Sequence, residues 1–413
     1  MKILLVNTRH YQGGGDSTYT FNLATLLRSK GNEVAFFAMQ DERNLPDPNS
    51  NLFVSHIDFG ELNRNKSIWS GIQVLKRVIY STEAREKFSR LLDRFTPDVV
   101  HLQNIHAHIT QSIILEAKKR GVSVVWTLHD YKLICPNSHF MVDATGDICG
   151  ACKVGNYYQA VWKRCKKGSL LASAMAAIEA YAHRTMSIRD KVDCFLAPSG
   201  FLKNKLLEWG FSHDKVMHLP LFLPDEMFHG VLDDKGYLLF MAKLDPIKGI
   251  YPLLEACRIV PEITLILAGR VDEPMAGQLV DLLPPNAKYV GMKQGERLRE
   301  LLMGARAVVL PSLCYENQPF TITEAFAAGK PVICSDLGGM TELVKAGERG
   351  LLSPPGNIST LASAMKWIST HPEKAKEMGL KARIYASVEH GSDNHYKKLI
   401  QLYKQVLDNR AKG

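Results

Sequence analysis

The sequence predicts an α/β fold made of two doubly wound parallel sheets. Short β-branched or apolar runs alternate with amphipathic, helix-length segments from one end of the 413-residue chain to the other. Such alternation is typical of parallel strands joined by helices that cover both faces of a sheet. The same pattern starts again after residue 224, following a stretch that contains two prolines. This restart indicates a second domain of the same class.

The composition fits two globular domains and excludes several other classes. With 46% hydrophobic and 23% charged residues, the chain is neither disordered, collagen-like nor a small disulfide scaffold. The apolar run at residues 1–7 is too short for a signal peptide, so we expect a cytoplasmic protein. The stretch 170–182 is interrupted by Glu179 and is shorter than the roughly 20 residues of a membrane span. The net charge of +9 suits phosphorylated ligands, anionic lipids or nucleic acid without separating them.

The first predicted domain, residues 1–223, begins with a strand and a crossover helix. The helix is expected over 16–30, capped by Asp16 or Ser17 and ended by Gly31. Strands of this domain are predicted at 3–7, 33–37, 98–102, 123–127 and 193–197.

The second predicted domain, residues 224–390, begins with a linker at 225–236. Its strands are predicted at 237–241, 264–268, 307–310 and 331–334. Because doubly wound sheets bind ligands at the carboxyl ends of their strands, we expect the active site in the cleft between the two domains.

Two carboxylates, Glu316 and Glu324, frame the most informative segment of the sequence. Seven residues separate them, and a helix is expected to begin near Phe320. A loop that enters a helix offers N–H groups to a phosphate, and ionised glutamates accept hydrogen bonds from hydroxyls on either side. This layout suits a sugar-diphosphate-ribose ligand; the alternative is a helix with two exposed glutamates.

This segment resembles the E-x7-E region of the GT4 family of retaining glycosyltransferases, which have a GT-B fold with two Rossmann-like domains facing a central cleft. The resemblance implies that Glu316 faces the transferred sugar and Glu324 binds the ribose. It also implies that the first domain binds the acceptor, the second binds the donor, and the segment 391–413, with a helix at 394–407, packs back on the first. The other donor-binding residues implied here are Asn317, Gln318, Pro319, Phe320 and Thr321.

Two lysines, Lys243 and Lys248, are expected at the carboxyl edge of a sheet, because they follow a strand and precede a helix. Their segment resembles the family's G-R-L…K-G segment, which implies that both neutralise the donor's diphosphate. Ala242 replaces the family's glycine and Lys243 its arginine, so Lys248 is the better supported of the two. The alternative is a pair of solvated loop lysines.

A glycine run follows the first strand. Such a run is either a plain turn or a ligand loop, and the resemblance places it against the donor phosphates and the acceptor pocket. The residues concerned are Gly14 and Gly15 on the donor side and Gly13 on the acceptor side.

Histidines follow two strands of the first domain. His129 matches the family's T-x-H-D segment, which implies contact with the transferred sugar near its reacting carbon. His106 and Asp130 are expected on the acceptor side, and both His101 and His106 are weaker candidates than His129. The alternative for each histidine is an ordinary surface or core position.

The eight cysteines fall into two groups, and the absence of an export signal favours free thiols or metal ligands over disulfides. Four are expected in the core: Cys194, Cys257, Cys314 and Cys334. The other four lie in an insertion at about 135–165 that we expect to shape the acceptor side. Their C-x2-C spacing permits a structural zinc site, with reduced thiols, a redox-labile pair or an iron–sulfur cluster as alternatives. They are Cys135, Cys149, Cys152 and Cys165.

A basic loop precedes an apolar helix expected at 169–186. This pairing suits peripheral contact with an anionic membrane and a lipid-linked acceptor; the alternative is an ordinary packed helix behind a solvated loop. The basic residues are Lys163, Arg164, Lys166 and Lys167.

The expected function is retaining transfer of a hexosyl unit from a UDP- or GDP-linked sugar to a glycan or lipid-linked glycan in cell-surface polysaccharide biosynthesis. The resemblance, and the lack of an Asp-x-Asp segment in a ligand-edge loop, imply that catalysis requires no metal cofactor. A nucleotide-sugar epimerase is one alternative. A nucleic-acid-binding protein is the other, but no helix-turn-helix, zinc-finger or aromatic stacking motif accompanies the basic residues, so nucleic acid is not an expected partner.

Overall fold

The computed structural model divides into two compact units, Met1–Leu219 with Tyr396–Gly413, and Pro220–His395. It describes residues 1–56, 77–106, 108–230 and 233–412. Residues 231 and 232 of the predicted linker lie outside this range. The first unit ends at Leu219, a few residues before the boundary predicted at 223, and the returning segment begins at Tyr396 where 391 was predicted.

A parallel sheet forms the centre of the first unit, with strand order β2-β1-β3-β4-β7-β8. Strands β3, β4 and β7 are buried along their whole length, which is why they read as continuous apolar runs. The strands are β1 (Lys2–Val6), β2 (Glu33–Phe37), β3 (Val99–Leu102), β4 (Ser123–Thr127), β7 (Cys194–Ala197) and β8 (Val216–His218).

Helices connect these strands. Helix α1 begins at Gly15 with no side-chain cap, so the predicted capping by Asp16 or Ser17 is wrong: Asp16 lies in the first turn and Ser17 is buried. The chain leaves the helix through Gly31, whose φ is +79°. The described helices here are α1 (Gly15–Ser29), α2 (Thr82–Phe95), α3 (Ser112–Lys119), α4 (Tyr158–Trp162), α5 (Leu170–Thr185) and α6 (Gly200–Glu208).

The cysteine-containing insertion lies between β4 and β7. An antiparallel pair, β5 (Met141–Val142) and β6 (Asp147–Ile148), is followed by a 3-10 turn at Lys153–Gly155 and by α4. Another 3-10 turn, Ile188–Lys191, leads into β7.

The second unit repeats the design with strand order β11-β10-β9-β12-β13-β14, again all parallel. The strands are β9 (Tyr237–Met241), β10 (Leu265–Ala268), β11 (Ala287–Tyr289), β12 (Ala305–Leu310), β13 (Val332–Ser335) and β14 (Gly350–Ser353). The helices are α7 (Ile250–Ile259), α8 (Met275–Leu282), α9 (Gly295–Gly304), α10 (Phe320–Ala327), α11 (Gly339–Leu343), α12 (Ile358–Thr370) and α13 (Pro372–Glu389). The final helix, α14 (Ser392–Lys412), crosses the division between the units.

The strand order reverses between β1 and β3 in the first unit and between β9 and β12 in the second. Ligands of doubly wound sheets bind where the order reverses, at the carboxyl ends of the strands. The loops of interest therefore follow β1, β3, β9 and β12. Within the described ranges, no helix has the length and apolar character that crossing a membrane requires.

Candidate active site

The loops after β9 and β12 bring two predicted site residues into contact. Nζ of Lys248 lies 2.5 Å from Oε1 of Glu316, and Oγ of Ser312 donates a 2.8 Å hydrogen bond to the same oxygen. In the part of the chain that the structure describes, Oε2 of Glu316 has no hydrogen-bond partner. One carboxylate oxygen is thus held in place while the other is able to accept a hydrogen bond from a ligand hydroxyl.

A glycine allows these two loops to touch. Gly249 has φ +76°, and a Cβ there would lie 1.9 Å from the carbonyl oxygen of Pro311. The backbone N–H of Leu313 also donates to the carbonyl of Ile247 at 2.8 Å. Only glycine satisfies both the left-handed conformation and the close approach, so the position of Lys248 beside Glu316 depends on Gly249.

The charge on Lys248 is set by two opposing effects. Burial by itself lowers the pKa of this lysine, but the adjacent Glu316 carboxylate favours the charged form, and the net pKa is raised. Lys248 is therefore a cation at neutral pH although its side chain is only 28% exposed.

Lys243 has a different environment. Its Nζ contacts Oδ2 of Asp245 at 2.8 Å and Oδ2 of Asp272 at 3.1 Å. The hydrogen bond that Lys243 donates to Asp245, reinforced by Asp272, raises the pKa of Lys243. Lys243 is therefore charged and lies at the same sheet edge as Lys248. Unlike Lys248, it is already paired with two carboxylates, half-buried Asp245 and exposed Asp272.

Helix α10 begins at Phe320 after Pro319, as predicted, and no side chain caps it. Its N-terminus therefore retains the partial positive charge and N–H groups that suit a phosphate. Oγ1 of Thr321 donates to the carbonyl of Met241 at 2.9 Å, which fastens the first turn to the end of β9. Asn317 is buried, and a Cβ at Gly339 would lie 1.8 Å from its carbonyl oxygen.

The Gln318 side chain, in the segment predicted to bind the donor, contacts the protein backbone. Oε1 of Gln318 accepts from the Leu221 N–H at 2.7 Å, and Nε2 donates to the Leu221 carbonyl at 3.0 Å. This buried amide binds the backbone of the chain entering the second unit and is not turned toward a ligand.

Glu324 is half-buried on α10. Burial raises the pKa of this carboxyl to about 7. No hydrogen-bond partner of the carboxylate is found among the residues described. A carboxylate held without a protein partner is suited to accept hydrogen bonds from ligand hydroxyls, as predicted for a ribose.

His129 follows β4 in the first unit. Its Nε2 lies 2.7 Å from Oε1 of Gln103; because a carbonyl oxygen only accepts, Nε2 carries the hydrogen. Burial lowers the pKa of His129, although Asp16 and Asp130 oppose this effect. The imidazole is therefore neutral at neutral pH. Sequence reasoning missed Gln103, whose only signal is its place at the end of β3.

His106 and Asp130 lie near each other: Nε2 of His106 is 3.7 Å from Oδ1 of Asp130. Burial lowers the pKa of His106. This histidine lines a cavity of about 340 Å³ at the reversal between β1 and β3. Arg9 and Arg43, which the sequence did not single out, also line this cavity. The other lining residues are Thr8, Tyr11, Asp16, Met39, Asp41, His56, Asn104 and His108.

The glycine run lies beside this cavity. The carbonyl of Gly13 accepts a 3.3 Å hydrogen bond from Arg9, which also pairs with Asp16 at 3.6 Å. Gly14 precedes α1 and Gly15 begins it, so the run forms the entrance to a helix N-terminus.

His101 is a core residue and not a site residue. It is fully buried, with Nδ1 2.6 Å from the Tyr403 hydroxyl and Nε2 2.8 Å from Oγ1 of Thr127. Through Tyr403, this histidine joins the returning part of α14 to the sheet of the first unit.

The four cysteines of the insertion line one small cavity of about 10 Å³. Burial, with the nearby thiols adding to it, raises the pKa of Cys152 to about 12 and of Cys165 to about 11, which favours thiols over thiolates. Across the described residues, no group of three or more His, Cys, Asp or Glu side chains is arranged to hold a metal ion. The predicted zinc site at Cys135, Cys149, Cys152 and Cys165 is therefore not supported by this geometry.

The four cysteines predicted for the core, Cys194, Cys257, Cys314 and Cys334, are all buried.

The chain has the GT-B fold, which solved structures share. Sucrose-phosphate synthase from Thermosynechococcus elongatus has a TM-score of 0.72 at 19% identity, covering 99% of each chain. Anabaena Alr3699/HepE in complex with UDP-glucose has a TM-score of 0.66 at 14% identity, covering 100% of each chain. The chain belongs to glycosyltransferase family 4, whose model matches residues 13–226, and the model of glycosyl transferases group 1 matches residues 225–385. The predicted family and fold are confirmed.

Curated relatives match parts of the chain. The amylovoran biosynthesis glycosyltransferase AmsK of Erwinia amylovora is 27% identical over 230 residues, 52% of this chain and 56% of AmsK. The D-rhamnosyltransferase WbpZ of Pseudomonas aeruginosa is 31% identical over 149 residues, 35% of this chain and 39% of WbpZ. The chain thus spans about half of AmsK and less of WbpZ. An uncharacterized 42.6 kDa protein in the cps region of Klebsiella pneumoniae is 25% identical over 358 residues, 83% of this chain and 87% of that protein.

Proposed function

We propose that this chain is a retaining hexosyltransferase that moves a sugar from a UDP- or GDP-linked donor to a hydroxyl of a glycan or lipid-linked glycan. The observation that carries the proposal is the contact between Lys248 and Glu316 at the carboxyl edge of the second sheet, just before the uncapped N-terminus at Phe320. A cation, a carboxylate and a helix N-terminus in adjacent segments suit a sugar joined to a diphosphate.

The proposed reaction breaks the bond between the sugar's anomeric carbon and the diphosphate oxygen. The acceptor hydroxyl forms the new bond on the same face of the sugar, and its proton passes to the departing diphosphate. Lys248, Lys243 and the N-terminus of α10 stabilise the negative charge that develops on the diphosphate. Because these groups supply positive charge, we propose that turnover needs no divalent metal, which addition of EDTA tests.

The remaining residues bind and orient the substrates. Oε2 of Glu316 accepts from a sugar hydroxyl, and Glu324 accepts from the ribose hydroxyls. His129 contacts the sugar as a neutral imidazole, which adds no charge beside a reacting carbon that becomes electron-poor. The cavity that His106 and Arg9 line receives the acceptor.

We propose polysaccharide biosynthesis as the process that uses this transfer. The support comes from similar proteins: AmsK is an amylovoran biosynthesis glycosyltransferase, and the Klebsiella relative lies in a cps region. Alr3699/HepE, which shares the fold, was solved with UDP-glucose.

The test is an acceptor-dependent transfer assay. The purified chain is offered UDP- and GDP-linked hexoses with a panel of glycans and lipid-linked glycans, and release of nucleoside diphosphate is measured with and without acceptor. We expect release that requires the acceptor and a product with the donor's anomeric configuration by NMR. Conversion of the donor to an epimer without transfer, or a product of inverted configuration, would overturn the proposal.

A further inference from the structure

Helix α5 exposes its apolar side. Leu171 and Ile178, seven positions apart and hence on one helix face, are 71% and 48% exposed. The buried side of the same helix consists of small or polar residues: Ser173, Ala176, Ala177 and Glu179. The helix thus exposes its larger apolar side chains, whereas an ordinary surface helix buries them in the core.

The orientation of α5 is fixed by buried polar contacts. Oε2 of Glu179 lies 2.7 Å from Nζ of Lys132, with both side chains largely buried. Oγ of Ser173 donates to the carbonyl of Ser169 at 2.7 Å and accepts from the N–H of Lys166 at 3.0 Å. Rotating the helix to bury Leu171 and Ile178 would break this ion pair in a poorly solvated place, which costs more than leaving the apolar face exposed.

The insertion extends the same kind of surface. Trp162, at the end of α4, is 84% exposed, and Leu170, at the start of α5, is 55% exposed. Helices α4 and α5 are joined by a hydrogen bond from the Tyr158 N–H to the Tyr181 hydroxyl, 3.2 Å long. Large apolar side chains this exposed are typical of an interaction surface.

The charges beside these side chains are positive. Lys163, Arg164 and Lys167 are exposed in the loop between α4 and α5. Throughout the described ranges, none of the three forms an ion pair with an acidic side chain. Exposed apolar residues flanked by unneutralised cations match a bilayer that carries anionic headgroups.

We propose that α4, the basic loop and α5 form a docking surface for an anionic lipid bilayer. The membrane surface consists of Trp162, Leu170, Leu171 and Ile178 as the inserted apolar residues and of Lys163, Arg164 and Lys167 as the headgroup contacts. The proposal rests on residues of the first unit alone. Bilayer binding is measured without donor or acceptor, so its failure is distinguishable from failure of the proposed transferase activity.

The experiment is flotation of the full chain with vesicles that mix phosphatidylglycerol and phosphatidylcholine, compared with vesicles of phosphatidylcholine alone. We expect binding to the anionic vesicles only. Leu171→Ser with Ile178→Ser should lower the affinity at least about tenfold. The matched control is Val280→Ser with Ile384→Ser, which replaces apolar residues that are 83% and 66% exposed in the second unit and should leave binding unchanged.

A charge series tests the second half of the proposal. Replacing Lys163, Arg164 and Lys167 by glutamine should lower the affinity on the order of 100-fold. The control changes three exposed lysines of α14 to glutamine and should have a much smaller effect: Lys397, Lys398 and Lys404.

Three outcomes would overturn the proposal. The first is no binding to anionic vesicles, and the second is binding that the surface variants leave unchanged. The third is a dimer in analytical ultracentrifugation that Leu171→Ser with Ile178→Ser dissociates, since the surface would then belong to a second copy of the chain. Thermal unfolding of each variant confirms that it is folded, as expected for exposed positions.

Discussion

Nζ of Lys248 lies 2.5 Å from Oε1 of Glu316, although 68 positions separate the two residues in the chain. The contact exists because β9 and β12 are neighbours in a parallel sheet, so the loops that follow them leave at the same edge. Ser312 holds the same carboxylate oxygen. The fold thus fixes a cation and an anion side by side where the strand order reverses.

Replacing Lys248 by alanine is expected to lower turnover about 100- to 1000-fold, the scale for losing one preorganised charge-stabilising group. The reason is that charge developing on the departing diphosphate would no longer be neutralised. Turnover is measured as acceptor-dependent release of nucleoside diphosphate. Lys345→Ala is the control, because Lys345 is an exposed lysine of the same unit. A loss below about threefold in a folded variant would contradict this role.

Glu324 should make stability depend on pH. Burial raises its pKa from 4.5 to about 7 in the folded protein, so folding is favoured while the carboxyl is protonated and loses that contribution as pH rises through about 7. Glu324→Gln should therefore raise the melting temperature above that of the native protein at about pH 8 and have a smaller effect near pH 4.5. Between these two pH values, the effect of the substitution on the free energy of unfolding should differ by up to about 3 kcal/mol.

The control for this prediction is Glu316→Gln. That carboxylate is paired with Lys248, so its loss should lower the melting temperature where Glu324→Gln raises it. The measurement is the melting temperature of the native protein, Glu324→Gln and Glu316→Gln across this pH range. A Glu324→Gln protein with the native pH profile would show that this carboxyl ionises freely in the folded state.

Gly249→Ala should disable the site, whereas Gly31→Ala should only cost stability. Both glycines are left-handed, with φ +76° and +79°, so each alanine pays about 1–2 kcal/mol of backbone strain. At Gly249 the new Cβ also collides with the Pro311 carbonyl, while at Gly31 nothing lies within 4 Å. The turnover of each variant is measured at a temperature equally far below its own melting temperature. Equal turnover in the two variants would argue against a dependence of the site on this close approach.

Tyr403→Phe should lower the free energy of unfolding by about 1–3 kcal/mol, because it removes the hydroxyl that contacts buried His101. Tyr396→Phe, which removes a longer, part-buried contact with Asn32, should cost less. Urea unfolding measures both. If Tyr403→Phe left stability unchanged but reduced turnover, His101 would have to be reassigned to the active site.

Buried strands were the predictable part of the fold. Strands β2, β4 and β9 match their predicted bounds residue for residue. Strands β4 and β9 are buried along their whole length, and buried parallel strands read as continuous apolar runs; β2 is an edge strand that begins at exposed Glu33. Among the strands that were not predicted, β8, β11 and β14 lie at sheet edges and are short and only partly buried. Their short length and partial burial leave little apolar signal in the sequence.

Motif spacing located the loops of the site but not the direction of each side chain. Gln318 lies inside the recognisable segment, yet its amide binds Leu221, and His101 follows a strand pattern yet contacts Tyr403. Both contacts join segments far apart in the sequence, so local patterns do not report them. The same holds for the insertion cysteines, whose spacing does not determine whether their sulfur atoms adopt tetrahedral geometry.

The most direct test of the central claim, that the second unit binds a nucleotide diphosphate sugar through Glu324, is thermal unfolding of the native protein and of Glu324→Gln with UDP, GDP and their hexose conjugates. A ligand at about a hundred times its dissociation constant adds about 2.7 kcal/mol of stability. We predict that one nucleotide series stabilises the native protein and that Glu324→Gln abolishes most of the shift. No shift with any nucleotide, or an equal shift in the variant, would contradict the account.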